Sequence, residues 1–542
     1  MDEFHKVSGL KLNINKSIGF GIGSTKEVQG NPGNIIWKEK EENTKILGIF
    51  FNSITEASDI EENWLAKLDK IKELSIKLQR RNVSLWGRVL LCKTFLLSQI
   101  AYNIQALSMP HKYIVELESI CFKFIWHKQN SKKKVIEKIK RQVMCLEKEK
   151  GGAGMIKGGT QQKLFLIKWI LKVGEQNFNS VFSYTKIPDL YFAWYGGIEY
   201  FLTFSGTLSQ IPIPELLTRF WKDSIKSWLT LKHNIDIIRE KRDFSKFRDN
   251  FGILPRNEIP IFLNNKICIS NDILFNRRWI NCDLKYLHQM LDDSGDFIDF
   301  NELPDNIRSQ PDSIFVYNSV KSGLGSINRS HEHPFMFLRK DHLLVERFLK
   351  IKNNDLRFLM EYDQSLEIYG KNFWATKLNS DIFSRYLCSM NSVKETKIQV
   401  TLFKLFHNIL PSKILLKKWN MVDSDLCDCG EKDFIDHSFA LCELTQPLWT
   451  EIRQLILIST GTLVELSTEI KLFGLNAQDK FNLKLNSKSL FIINNILALA
   501  KFCMNKARAQ KSDLRLCFEA EFGFRKHKIL QYNEDTVTNT DI

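Results

Sequence analysis

The stretch EENWLAKLDKIKELSIKLQRRNVSLWGRVLLCKTFLLSQIAYNIQALSMPHKYIVELESICFKFIW (residues 61–126) has the period of helices. Apolar residues recur there at steps of three, four and seven, beginning at Trp64, which is the spacing of one buried helix face. Ser84 has the side chain of an N-cap and predicts a second helix that continues to about Leu107. Pro110 predicts the start of a third helix, because proline suits the first helical turn.

The same stretch lies in the most basic part of the chain. Residues 61–170 hold 22 Lys and Arg against 9 Asp and Glu, a net charge of +13 in a chain whose formal net charge is +15. Such a concentration on predicted helices is typical of a surface that binds a polyanion. An ordinary solvated basic face is the alternative interpretation.

Composition limits the classes that need to be considered. With 542 residues, 44% of them apolar, the chain is long enough for about three or four globular units. The N-terminal sequence MDEFHKVSGL lacks the basic head and apolar run of a secretion signal. The longest apolar stretch, residues 489–500, contains Asn494 and Asn495 and predicts a buried helix rather than a membrane span. Eleven cysteines without a secretion signal indicate reduced thiols and a nuclear or cytoplasmic protein.

Residues 1–52 predict a small β-rich part, and the rest of the chain predicts helices. We expect strands over Ser17–Ile22 and Asn34–Lys38, and a fully buried strand over Thr44–Phe51. Three glycines at 151, 152 and 154 predict a tight turn before another helix. The expected fold class is therefore mainly α with a small β remnant.

A Cys/His cluster lies in the C-terminal part, in the sequence SDLCDCGEKDFIDHSFALCELTQPLW. Its spacing is Cys-x-Cys-x7-His-x4-Cys, from Cys427 through Cys429 and His437 to Cys442. Three thiols and an imidazole form a soft donor set that suits tetrahedral Zn²⁺, and four protein ligands would make the site structural. The alternative is a set of small buried thiols with a core histidine. His407, in an apolar helical context, is interpreted as a helix-end residue and not as a ligand.

Four short segments follow one another in a recognisable order. They are SGLKLNIN at 8–15 followed by Lys16, Leu47-Gly48, LWGRV at 85–89 with Lys93-Thr94, and GGAGM at 151–155. In this order they resemble the reverse transcriptase of LINE-type non-LTR retrotransposons, from just after its catalytic motif through its thumb. The later sequence around residues 260–300, 404–419 and 492–508, with the Cys/His cluster, is similar to the C-terminal region of that family.

The resemblance implies an RNA-directed DNA polymerase as the intact relative, with Mg²⁺ held by aspartates. The family keeps two of these aspartates in an aromatic-Ala-Asp-Asp hairpin, upstream of the segment that matches SGLKLN, and we expect the hairpin to precede Met1. The one adjacent Asp pair in this chain, Asp292-Asp293, is interpreted as an acidic turn. We therefore expect no catalytic residue here, and no polymerase activity from this chain alone.

The family's Cys/His motif usually has two residues between its first two cysteines. The single residue between Cys427 and Cys429 departs from this pattern.

The resemblance also implies that basic residues hold the backbone of an RNA or DNA template-primer duplex. In the family, the lysine that matches Lys16 lies near the incoming nucleotide, and Leu47-Gly48 belongs to a strand pair that grips the primer end. Residues 132–134 also suit a nuclear-import signal or a solvated face. The predicted nucleic-acid-binding residues are Lys16, Arg80, Arg81, Arg88, Lys93, Lys132, Lys133, Lys134, Lys138 and Arg141.

The predicted organisation follows from these segments. The leading functional hypothesis is a C-terminal part of a reverse transcriptase that binds nucleic acid. The alternatives are a stand-alone nucleic-acid-binding module or inactive remnant with a structural zinc site, and a helical interaction protein with incidental charge. The predicted parts are a palm remnant (1–52), a helical thumb-like domain (58–174), a helical connecting region (175–330), a helical C-terminal domain (331–422), a zinc-knuckle-like insertion (423–452) and C-terminal helices (453–532).

Overall fold

A computed structural model of the chain describes most of its residues, and helices dominate them. Strands form three two-stranded sheets in this described part. The prediction of a mainly α protein with a small β part is confirmed. The described residues are 6–7, 9, 13–19, 21, 35–126, 136–174, 191–203, 211, 213–215, 217–240, 260–264, 267–269, 272–292, 294, 296–329, 351–361 and 366–530.

The chain divides into two compact units. The first contains residues 1–72, 97–118 and 157–363, and the second contains residues 73–96, 119–156 and 364–542. Each unit therefore combines segments that are distant in the sequence. The second unit combines part of the basic stretch with the C-terminal helices and the Cys/His cluster.

The N-terminal strands of the first unit are short. Strand β1 (Ile18–Gly19) pairs in parallel with β2 (Ile36–Trp37), while β3 (Thr44–Ile46) and β4 (Ile49–Phe51) form an antiparallel hairpin. The prediction of one buried strand over 44–51 is wrong. Leu47 and Gly48 both have positive φ, at 48° and 88°, which is the backbone of a tight hairpin turn. Tyr102 anchors this turn, since its hydroxyl donates to the Leu47 carbonyl at 2.6 Å.

The predicted helices of residues 61–126 are present, with one interruption. Ser84 caps α2 as predicted, because its Oγ accepts the Gly87 N–H at 3.2 Å. The helical stretch predicted from there to about Leu107 is confirmed in its extent, but a π turn, Cys92–Leu96, interrupts it between α2 and α3. In that turn the Thr94 hydroxyl donates to the Leu90 carbonyl at 2.9 Å. The helices are α1 (Leu65–Gln79), α2 (Leu85–Leu91), α3 (Ser98–Ala106) and α4 (His111–Trp126).

The rest of the first unit is a helical bundle around an aromatic core. The longest described helix of this unit, α8, packs against α6 and carries the fully buried Trp228. Two more strands, β5 (Cys268–Ile269) and β6 (Asp272–Ile273), pair antiparallel. The helices of this part are α6 (Gly158–Gly174), α7 (Ile198–Thr203), α8 (Arg219–Glu240), α9 (Arg277–Asn281), α10 (Asp305–Arg308), α11 (Ser313–Arg329) and α12 (Asn353–Met360).

The second unit is mainly helical in its described residues. Besides α2 and the ends of α1 and α4 (residues 73–79 and 119–126), it contains a short helix, α5 (Arg141–Cys145), and nine C-terminal helices. Four of them, α14, α15, α17 and α21, pack around α20. The nine are α13 (Tyr369–Leu378), α14 (Ile382–Ser392), α15 (Thr396–Phe406), α16 (Lys413–Lys418), α17 (Gln446–Thr460), α18 (Thr468–Phe473), α19 (Ala477–Asn482), α20 (Ser487–Gln510) and α21 (Leu514–Leu530).

Helix α20 is the central helix of the second unit. By length and composition alone it could cross a membrane, and it is the only helix of the described residues that meets this test. Its middle is instead inside the protein, with Ile493, Leu497 and Ala500 fully buried. Lys501 is fully buried as well, and its Nζ donates to the Lys471 carbonyl at 3.1 Å. We therefore assign α20 as a core helix, as its sequence predicts.

Candidate metal centre

The first two cysteines of the cluster lie on a tight hairpin-like loop. Leu426 and Lys432 form an antiparallel bridge, and the Cys427 N–H donates to the Glu431 carbonyl at 2.7 Å. Gly430 has a φ of 93°, which a residue with a side chain adopts only with strain. The glycine thus lets the chain reverse directly after Cys429.

The last two residues of the cluster lie on a π turn, His437–Leu441, which ends at Cys442. The Cys442 N–H donates to the His437 carbonyl at 2.7 Å, five residues earlier. An α-helix would place two residues five apart about 140° from each other around its axis. The wider π turn brings them to the same side. The prediction that His-x4-Cys suits a helix is therefore confirmed for a helix of the π type.

The structure brings all four residues together. One donor atom from each of Cys427, Cys429, His437 and Cys442 lies within 4.8 Å of the others. Cys427 Sγ and Cys442 Sγ are 3.7 Å apart, and Cys429 Sγ lies 3.1 Å from His437 Nε2. Tetrahedral Zn²⁺ with bonds near 2.3 Å would hold two sulfurs roughly 3.8 Å apart. The group can therefore hold a metal ion, and its donor types and spacing fit zinc.

The thiols of the group differ in acidity. The Cys429 thiol lies beside the Glu431 N–H, which is the main reason that its pKa is below the ordinary value. Burial raises the pKa of Cys442 to about 12. A metal ion would replace the proton on such a buried thiol, because a coordinated thiol is deprotonated. The metal-free and metal-bound loops therefore differ by several protons.

Neighbouring helices hold the carbonyls of the π turn. Trp449 Nε1 of α17 donates to the Phe439 carbonyl at 3.1 Å. Gln446 Nε2 donates to the Ala440 carbonyl at 2.9 Å. Lys471 of α18 reaches the same Ala440 carbonyl at 3.3 Å. These donors satisfy carbonyls that a π turn leaves without their usual α-helical partners.

The Cys and His spacing gives no sign of a fifth important residue in this loop. Asp433, with a fully buried side chain, accepts hydrogen bonds from the Ser438 hydroxyl, from the Lys413 N–H and from Arg508 Nη2 at 2.6 Å. Arg508 comes from α20, about seventy residues later. A carboxylate between two ligands, followed by a serine five positions later, is too common in sequences to indicate this role.

The predicted nucleic-acid-binding residues lie on several different elements. Lys16 ends a short 3₁₀ helix, and Arg80 and Arg81 follow α1; these three are exposed. Lys138 is exposed too, with its Nζ 4.7 Å from the centre of the Trp419 ring. Lys132, Lys133 and Lys134 lie outside the described residues.

Three other predicted residues are partly buried and bind the protein itself. Arg88 donates to the Ile125 carbonyl at 3.5 Å, and burial lowers the pKa of its guanidinium. Lys93 Nζ donates to the Gly154 carbonyl at 3.0 Å. Arg141 pairs with Glu137 at 2.6 Å. These contacts give the three partly buried residues a structural role, and the other described residues of the set are the more exposed ones.

The glycine turn, Gly151–Gly154, is as tight as predicted. Gly151 and Gly154 have φ of 78° and 67°, and a Cβ at Gly152 would lie 2.0 Å from the Leu146 carbonyl oxygen. His407, at the end of α15, binds this turn through Nε2, 2.8 Å from the Gly151 carbonyl. Burial lowers the pKa of His407 to about 4, so the ring is neutral. The interpretation of His407 as a satisfied helix-end residue is confirmed.

The acidic turn predicted at Asp292-Asp293 is present at Asp292, the described residue of the pair. The Asp292 carboxylate accepts the Asp296 N–H at 2.8 Å, and the Asp296 carbonyl accepts the Asp292 N–H at 2.8 Å. Asp293 lies outside the described residues.

A comparison with models of known protein families finds none that matches this chain.

Proposed function

We propose that this chain binds nucleic acid through the sugar-phosphate backbone, as the C-terminal part of a LINE-type reverse transcriptase would hold a template-primer duplex. The observation that carries the proposal is the net charge of +13 on residues 61–170. A thumb needs basic helices and not base-reading side chains, because phosphate contacts position a duplex without reading its sequence. The ordered segments that resemble this family supply the link to a polymerase.

The exposed basic residues are the proposed phosphate contacts. Arg80, Arg81 and Lys138 are exposed on the second unit and Lys16 on the first. Arg88, Lys93 and Arg141 already have partners within the protein, so their proposed contribution is to hold the scaffold and to add positive potential. RNA-DNA hybrids and duplex RNA or DNA are the proposed partners.

We further propose that the Cys/His group holds one structural Zn²⁺. Four protein donors fill a tetrahedral ion, which leaves no position for a reacting water. The role of the ion is then to fix the loop between α16 and α17. Refolded protein should bind about one equivalent of zinc. Less than about a tenth of an equivalent would contradict a zinc site.

The proposed function excludes catalysis by this chain alone. The sequence contains no aromatic-Ala-Asp-Asp segment, and two-metal polymerisation needs such carboxylates on Mg²⁺. A stand-alone nucleic-acid-binding module or an inactive remnant would share the binding and the zinc. We therefore expect purified protein to bind an RNA-DNA hybrid without extending its primer.

Titration of a labelled hybrid at increasing salt tests the binding. The logarithm of the association constant should fall linearly with the logarithm of the salt concentration, because bound phosphates release counterions. A primer-extension assay with Mg²⁺ or Mn²⁺ should stay at background. Binding that is absent at low salt, or that ignores salt, would contradict the proposal. Nucleotide incorporation above background would overturn the expected lack of activity.

A further inference from the structure

The Cys/His loop has a buried carboxylate at its centre that is not one of the four candidate metal ligands. Asp433 lies four residues after Cys429 and four before His437, and its side chain is 0% exposed. Burying a carboxylate is costly unless it is paired and hydrogen-bonded. Because Asp433 is buried between two candidate ligands in the sequence, the groups that its carboxylate binds bear on the metal site.

Each oxygen of Asp433 has its own partners. Oδ1 accepts the Ser438 hydroxyl, and Oδ2 accepts both the Lys413 N–H and Arg508 Nη2. The Asp433 N–H also donates to the Asp425 carbonyl at 2.9 Å, within the loop that carries the first two cysteines. One residue thus joins the cysteine loop, the start of α16, the core helix α20 and the π turn.

The bond to Ser438 is the one that reaches the metal ligands. Ser438 is the second residue of the π turn, next to His437, and its Oγ also lies 2.8 Å from the Phe434 carbonyl oxygen. Because Asp433 holds Ser438, the first turn of backbone next to His437 is held in position. The Trp449 and Gln446 side chains hold the later part of the same turn.

Arg508 fixes the carboxylate from the side of the core. Its guanidinium binds Asp433 at 2.6 Å and lies 5.7 Å from the centre of the Phe439 ring, which is part of the π turn. Arg508 is near the end of α20, whose middle is fully buried. The π turn is thereby tied to the core helix α20 through a charged pair.

From these contacts we infer that Asp433 is the positioning residue of the metal site, holding His437 and Cys442 in place for the ion. The inference rests on the metal site proposed above. Groups that orient metal ligands typically change metal affinity about 10-fold to 100-fold when they are removed. Asp433 acts through Ser438 and the backbone, and the contact with Arg508 holds its carboxylate in orientation.

The test is the zinc affinity of Asp433→Asn, measured by competition with a chelator on the full chain. Asp428→Asn is a matched control, because Asp428 lies between Cys427 and Cys429, is 82% exposed and pairs with the side chain of Lys413. Both substitutions remove one negative charge near the ion. We expect a loss of affinity on the order of 10-fold or more for Asp433→Asn and less than about 2-fold for Asp428→Asn.

Two further measurements separate positioning from folding. Ser438→Ala removes only the hydroxyl and should weaken zinc binding several-fold even if Asp433→Asn does not fold. Co²⁺ absorption should show the tetrahedral thiolate site in the wild-type chain. Affinities of Asp433→Asn and Ser438→Ala within 2-fold of wild type, with equal losses of thermal stability with and without zinc, would overturn the inference and leave the metal site intact. A wild-type chain that binds neither ion would overturn both.

Discussion

The Cys/His loop and the glycine turn are two polar regions of the second unit, and they differ in what their polar groups face. In the loop, thiol and imidazole donors of a metal ion face one another. In the turn, Lys93 and His407 bind the carbonyls of Gly154 and Gly151. The turn therefore pairs hydrogen-bond donors with acceptors, whereas the loop brings together four groups that could each give an electron pair to one cation. Buried polar groups of the second kind indicate a candidate metal site.

Removal of a ligand from the Cys/His loop should have the largest effect. We expect Cys442→Ser to reduce bound zinc from about one equivalent to below a tenth, because structural zinc sites contribute on the order of 10 kcal/mol. Thermal unfolding with and without zinc should become identical. Cys388→Ser is the control, since Cys388 is a half-buried thiol of the same unit outside the loop. Equal zinc content in the two variants would show that the Cys/His loop is not the zinc site.

Acid should break the glycine turn through His407. Its pKa is about 4 in the folded chain against an ordinary 6.5, so the unfolded chain binds more protons between these values. Stability is therefore full above about pH 6.5 and falls by about 3 kcal/mol as the pH approaches 4. His407→Gln should remove this part of the loss, measured by urea unfolding across the pH range. His111→Gln, at an exposed position, should retain it. The same acid loss in both variants would assign it to other groups.

Lys501, a buried amine of α20, provides a second pH-dependent contribution to stability. It binds the carbonyl of Lys471, whose own side chain holds the π turn, and burial lowers its pKa to about 7 from an ordinary 10.5. The unfolded chain binds more protons between these values, so stability should rise with pH from about 7 to 10.5. Lys501→Met should stabilise the protein by about 2 kcal/mol at pH 7 and flatten this rise.

Lys488→Met is the control for Lys501, because Lys488 is exposed on the same helix. It should leave both the stability and its pH dependence unchanged within about 0.5 kcal/mol. A Lys501→Met protein that is less stable than wild type at pH 7 would show that the bond to Lys471 outweighs the desolvation of the amine.

The smallest effect concerns nucleic acid. Arg81→Gln, at an exposed position, should weaken hybrid binding about fivefold to tenfold near 0.1 M salt and reduce the salt slope by about 0.9. Arg88→Gln should instead lower thermal stability and leave the slope unchanged, since Arg88 binds the Ile125 carbonyl. A reduced slope in Arg88→Gln alone would reverse these assignments.

The sequence predicts more of the fold than of the geometry within its elements. Apolar spacing correctly predicts the helices around Trp64 and Ser84 and the burial of α20, because a helix face must be buried. It does not predict the π turns or the hairpin at Leu47, because those depend on hydrogen bonds between particular backbone groups. The four candidate metal ligands follow from residue type and spacing. Asp433 and Arg508 do not, since their contact joins residues 75 positions apart.

The π turn at His437–Leu441 makes the site sensitive to chain length. A π turn holds one residue more than the α-helical turn that it replaces. A deletion of one residue between His437 and Cys442 would leave all four donors in the sequence but relax the turn to α-helical hydrogen bonding. A relative with His-x3-Cys would therefore need an ordinary helical turn at this place. Insertions and deletions here, more than substitutions, would show whether a related chain retains the site.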